Sequence, residues 1–124
     1  MAAFAYVIYS ERMRLVKIGH SIHPTKRLSE LKREDATLTL EYYEWFPHVG
    51  WARGVEEFAQ GKLYLYRHHG EWFNTSVEVA IGYLAWLTDR VYSNNRLPRV
   101  NELIAEGWLI NERHWKIFNG KTDR

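Results

Sequence analysis

A chain of 124 residues with six Trp, eight Tyr and five Phe has one domain's length and the aromatic surface for a core, which excludes a disordered chain. A formal net charge of +2 excludes a polybasic tail protein, so any nucleic-acid footprint has to come from a local patch. With no cysteine, disulfides and thiolate zinc sites are excluded, and with no signal peptide or long apolar run the expectation is a soluble, cytoplasmic protein with no membrane partner.

In chain order, Phe4 to Tyr9 and Leu15 to Gly19 read as two strands joined by the charged loop Glu11-Arg12-Met13-Arg14. Pro24 opens a helix that carries Leu28 and Leu31. Leu38 to Phe46 alternates in part and reads as a third strand, and Trp51 to about Tyr66 reads as a helix. Thr75-Ser76-Val77-Glu78 is a capping box for another helix, with Ala80, Ile81, Leu84, Leu87 and Val91 at helical spacing. Ser93 to Pro98 is a break, which divides a main domain, residues 1–92, from a short extension, residues 93–124. Pro98 starts a helix that ends at Gly107, and Trp108 to Phe118 is apolar with a period ambiguous between strand and helix. This order predicts an α+β fold: a small three-stranded antiparallel sheet flanked by helices.

Strand alternation gives the first sign of a site. A four-residue hairpin loop puts Ala5 and Val7 on one face with Val16 and Ile18, which belong in a core, and puts Tyr6 and Lys17 together on the other. Lys17 is expected to be accessible, because an unpaired buried ammonium is costly. Beside it the Tyr6 phenol would have a lowered pKa and accept a proton more readily. Taken alone, the pair reads more simply as a half-buried Tyr and a surface Lys. His20 follows Gly19, lies near the same face, and is the residue type most used as a base near neutral pH. Arg27 falls one turn into the first helix, where its planar fork suits a phosphate. With Lys26, Lys32 and Arg33 it also reads as a plain solvated basic helix.

Glu56 falls within the apolar stripe of Ala52, Val55, Ala59, Leu63 and Tyr66, whereas Glu57 points elsewhere. A carboxylate on such a stripe is paired with an Arg or binds a metal. Mg²⁺ needs only one or two such oxygens beside water and phosphate.

Together these residues resemble the GIY-YIG nuclease superfamily, in particular its phage-associated T5orf172 branch. The resemblance rests on Ala5-Tyr6-Val7-Ile8, Val16-Lys17-Ile18-Gly19-His20-Ser21, Pro24-Thr25-Lys26-Arg27-Leu28, Ala52-Arg53-Gly54-Val55-Glu56 and Gly70-Glu71-Trp72-Phe73, in that order, over roughly residues 4 to 85. It implies a metal-dependent DNA endonuclease using Mg²⁺ or Mn²⁺. Tyr6 would be the general base, Lys17 would stand at the first position of the second motif, and His20 would assist the tyrosine. Arg27 would contact the scissile phosphate, and Glu56 would hold the metal. Asn74, or else Glu71, would fill a late polar position. DNA contacts would come from Arg12, Arg14, Lys26, Lys32, Arg33 and Asn74, and a homodimer or accessory protein would help grip the duplex. Two departures stand out. The Gly of the first motif is replaced by Phe4 or Ala5, and Gln60 stands where many relatives carry His. They leave a second reading open, a catalytically inactive nucleic-acid-binding module with the same fold.

Two aromatic or histidine groups read as structural. His68-His69 with His48 would diverge too far for zinc, and Trp72 with Phe73 belongs more readily to a core than to base stacking. Trp108, Trp115 and Phe118 leave a dimer surface and a cover for the sheet both open, while Lys116, Lys121 and Arg124 read as a solvated end.

Overall fold

The hairpin sets the register of everything else. In the computed structural model, which describes residues 1–111, β1 (Ala3–Ser10) and β2 (Leu15–Ser21) pair antiparallel around the turn Glu11 to Arg14. Ser10 lies opposite Leu15, Val7 opposite Ile18 and Tyr6 opposite Gly19, the register expected from the loop length. Arg14 takes a positive φ of 56° to close the turn.

The sheet has five antiparallel strands, not three, in the order β3-β1-β2-β5-β4. β3 (Leu38–Phe46) flanks β1 as expected, while β4 (Arg67–His69) and β5 (Trp72–Phe73) add a miniature hairpin to the free edge of β2. Strands of three and two residues are too short to show a period of two in the sequence. Only the backbone of β2 turns them into sheet.

Helices cover both faces. α1 (Pro24–Leu31) lies on the face of Tyr6 and Ile8, where Leu28 and Leu31 pack with Leu38 and Leu40. The other face presents Ala3, Ala5, Val7, Val16 and Ile18 to α2 (Val49–Lys62) and α3 (Val77–Asn94). Ala52, Val55, Ala59, Ala80, Leu84, Leu87 and Val91 are fully buried there. Each of the larger side chains stabilises the fold by roughly 1.5–3 kcal/mol through burial.

Helix boundaries differ from the sequence reading in two places. α2 begins earlier, at Val49 after His48, and stops at Lys62, with a separate 3-10 turn over Tyr64–Tyr66. The cap of α3 is Ser76, whose side chain accepts the Val79 N–H, so the expected Thr75–Glu78 box is displaced by one residue.

α3 ends at Asn95 in the left-handed conformation, and α4 (Val100–Ala105) ends before Gly107, which takes a φ of 78°. Leu103 and Leu109 belong to the same core cluster as the sheet. Trp108 settles on the helical layer rather than the sheet, stacked on Trp86 and donating its ring N–H to the Phe58 carbonyl at 2.9 Å. Trp115, Phe118, Lys116, Lys121 and Arg124 lie outside the described residues.

The chain between α3 and α4 seats on α2 through Leu97. A Cβ added at Gly54 would meet the Leu97 methyls at 2.5 and 2.8 Å. Ala is favoured over Gly inside a helix by about 1 kcal/mol. Gly54→Ala should therefore stabilise a Leu97→Ala protein by about that amount and lose the gain in the wild type. Urea unfolding of the four-member cycle should give a coupling of about 1–2 kcal/mol. Additive effects would show that Leu97 does not close on α2.

Candidate active site

β5 pairs with β2 only at Val16 and Lys17, plus one bond from the Ile18 N–H to the Glu71 carbonyl at 3.2 Å. Beyond that point the edge of β2 is open, and the polar groups of the site gather round it. Tyr6 and Lys17 share one face, as alternation requires. The Tyr6 ring lies across Gly19: a Cβ there would fall 2.5 Å from both Cζ and the hydroxyl oxygen. A glycine at this position is what lets the phenol cross β2 and reach the open edge.

Lys17 is not accessible. It is 6% exposed, with its ammonium 2.6 Å from Glu71 Oε1. The sequence reading expected an accessible lysine because an unpaired buried ammonium is costly; Glu71, in a turn 54 residues away, supplies the partner that lets it be buried. The expected effect on Tyr6 is also reversed. Burial, and then the Glu71 charge, raise the Tyr6 pKa above that of a free phenol, while the Arg27 guanidinium pulls the other way. The Lys17 charge is matched by Glu71 instead.

Glu56 is buried, 3% exposed, on the stripe where the sequence places it. Burial pushes its carboxyl up to about 7, against the pull of His20. It also shares a hydrogen bond with Glu71, which holds the proton on Glu56. Glu71, against its own burial, is held below the usual carboxylate range by the Lys17 ammonium. Glu57 leans away to Arg53, 3.4 Å off.

His20 does not share the face of Tyr6. It pairs with Ala5, so alternation turns it toward α2, and its Nδ1 lies 2.8 Å from Glu56 Oε1. That hydrogen bond raises the imidazole pKa. Its contact is with the carboxylate, not the phenol.

Arg27 stands exposed on the first turns of α1, 3.5 Å from Glu30. Of the other basic residues, Lys26 alone adjoins the site. It lines a cleft of about 220 Å³ with Ser21, Ile22, His23, Arg27 and Glu30. Arg12 and Arg14 lie in the β1–β2 turn, about 14 Å along the strand from the Tyr6–Gly19 pair. Arg12 is drawn to Asp35 at 3.7 Å, and Lys32 and Arg33 follow the far end of α1. These cations thus lie in three places: Lys26 and Arg27 near the start of α1, Lys32 and Arg33 at its far end, and Arg12 and Arg14 in the β1–β2 turn. Asn74 is exposed past Phe73, its N–H donating to the Tyr66 carbonyl at 2.8 Å, and Glu71 is the late polar residue that joins the cluster.

Gln60 is a further member. One turn on from Glu56 and fully buried, it donates Nε2 to the Ile18 carbonyl at 2.8 Å, tying α2 to β2. Its Oε1 has no hydrogen-bond partner among the described residues. The sequence shows it only as a departure from the usual His.

Among the described residues no three His, Asp or Glu side chains are placed to cage a metal. Glu56 and Glu71 are instead two carboxyls in hydrogen-bond contact, an oxygen pair that fits a hard cation retaining water or phosphate.

A family model for the T5orf172 domain matches residues 3–88, a span that includes every residue of this cluster. The chain belongs to the T5orf172 domain family. T5orf172 domains occur in endonuclease-like proteins of phages and mobile elements. Neither the curated proteins nor the solved structures yield a match. No helix among the described residues of this T5orf172 domain is long and apolar enough to cross a membrane.

The Lys17–Glu71 pair of the T5orf172 domain is open to test by stability. Lys17→Met leaves Glu71 ionised beside Glu56 without its cation. The loss at pH 7 should be about 1–2 kcal/mol, below that of a fully buried pair because Glu71 is partly exposed. Glu71→Gln in the same protein should restore most of it in urea unfolding. A Lys17→Met protein as stable as wild type would mean the pair is not formed.

Proposed function

We propose that this T5orf172 domain is a GIY-YIG-type endonuclease that hydrolyses DNA phosphodiester bonds with Mg²⁺ or Mn²⁺. The observation that carries the reading is the convergence of Tyr6, Arg27, Glu56 and Glu71, from β1, α1, α2 and the β4–β5 turn, on one open strand edge. Among them is a buried carboxyl pushed up to about 7, and such perturbed groups concentrate at functional sites.

Arg27 is the phosphate ligand. Its surface link to Glu30 is weak enough to be exchanged for two phosphate oxygens. The Tyr6 hydroxyl, fixed over Gly19, takes the proton of the attacking water. Its raised pKa makes the phenolate a strong acceptor that is scarce at neutral pH. His20 holds the Glu56 carboxyl in place, and Lys17 does the same for Glu71. Bound at Glu56 and Glu71, the metal would supply positive charge for the leaving 3′ oxygen. The products would carry 5′ phosphate and 3′ hydroxyl ends.

A supercoiled plasmid incubated with the purified protein and Mg²⁺ or Mn²⁺ tests the reading. Nicking that EDTA stops supports it. Binding without cleavage, with either metal and on both the plasmid and a duplex with a single-stranded overhang, would reduce the protein to a DNA-binding module.

A further inference from the structure

On the sheet face of Tyr6, the strands continue into an aromatic surface that the reaction does not use. Phe4 and Trp45 are paired across β1 and β3, as are Tyr6 and Tyr43, so all four side chains point the same way. Tyr43 is 54% and Trp45 50% exposed, and Phe4 meets Tyr43 edge to face at 5.5 Å. Two large rings in water at successive same-face positions of one strand cover no core.

Charge says what fits there. Phe4 pairs with Ser21, and Ser21 is a wall of the cleft that holds Lys26 and Arg27. The aromatic surface is therefore continuous with the two cations at the first turn of α1. A ligand that is anionic along its backbone and flat in its side groups matches both parts. Nucleic acid whose bases are unpaired offers that combination, whereas in a duplex the base faces are hidden by stacking.

We propose that Phe4, Tyr43 and Trp45 form a stacking platform for unpaired DNA nucleotides next to the phosphate held by Arg27. The substrate is then DNA with a single-stranded or frayed segment rather than a closed duplex, a conclusion that rests on reading the Tyr6 cluster as a phosphodiester site.

The test is a binding measurement without cleavage. A fluorescein-labelled duplex with a six-nucleotide overhang, and the same duplex blunt-ended, are titrated with protein in EDTA. Removing an aromatic platform costs about tenfold in affinity per stacked base. Trp45→Ala and Tyr43→Ala should each weaken overhang binding about tenfold and leave blunt-duplex binding nearly unchanged, while Trp45→Phe retains overhang binding. Equal losses on both probes, or none, would overturn the platform. So would a dimer in sedimentation that Trp45→Ala dissolves while overhang binding persists, since the exposed edge of β3 would then serve a second copy of the chain. The arms separate the two readings: a wild-type protein that cuts neither plasmid nor overhang duplex with Mg²⁺ or Mn²⁺, but loses overhang binding through Trp45→Ala, sinks the nuclease and keeps the platform. A nicking protein indifferent to Trp45→Ala does the reverse.

Discussion

Glu56→Gln should abolish metal-dependent cleavage and, above neutral pH, should make the fold more stable. The first effect follows from removing the buried oxygen that would hold the cation. The second follows from linkage. The folded carboxyl titrates at about 7, above its ordinary value of 4.5. The unfolded chain therefore gives up this proton more readily than the folded one. Stability falls as pH rises from about 4.5 to about 7 and stays reduced beyond. Gln carries no such charge, so at pH 8 the variant should gain on the order of 2 kcal/mol and at pH 4 almost nothing. Urea unfolding at the two pH values checks the stability, and plasmid nicking checks the activity. A variant that nicks at the wild-type rate ends the assignment of Glu56. One that is less stable than wild type at pH 8 contradicts the burial argument. The same titration would make the proposed metal binding weaken in acid, by about tenfold per pH unit below about 7, because proton and cation would compete for one carboxylate.

Tyr6→Phe and Arg27→Ala should each slow cleavage by roughly a hundredfold or more, the scale of losing a general base or one electrostatic donor. Their binding should differ. Of the two, only Arg27 would grip the ground-state phosphate, so Arg27→Ala should weaken DNA affinity and Tyr6→Phe should leave it nearly unchanged. Their pH profiles should differ as well. The Tyr6 pKa lies above that of a free phenol, so the phenolate fraction, and with it the wild-type rate, climbs into the alkaline range. Tyr6→Phe should flatten that climb, while Arg27→Ala keeps it at a lower level. A Tyr6→Phe enzyme with full activity and an unchanged profile would remove the phenol from the chemistry. His20 would not readily replace it, since its ring is turned to Glu56 on the other face of the sheet.

The hairpin register, the three long strands and the burial of Glu56 were legible in the sequence because each depends on a local rule. Alternation fixes which residues share a face of a strand, a four-residue loop fixes which residues are opposite, and helical spacing puts Glu56 among Ala52, Ala59 and Leu63. No such rule reaches β4 and β5, whose strand state depends on pairing with β2. Electrostatics were less legible still. The sequence puts Lys17 on the face of Tyr6, and the shared face is real, but a charge acts on whatever it lies closest to in space. Burial of the phenol, and then the charge of Glu71, which reaches Lys17 from a turn far along the chain, reverse the expected influence on the phenol. The division has one physical reason. Direction along a helix or strand is set by bonded geometry that repeats every few residues, whereas solvation and charge pairing depend on which distant segments the fold packs together. The sequence by itself determined the α+β plan and the residues facing the site. Only the tertiary structure decided that Lys17 is buried, that Glu71 is its partner, and that the aromatic face of β1 and β3 opens beside Arg27.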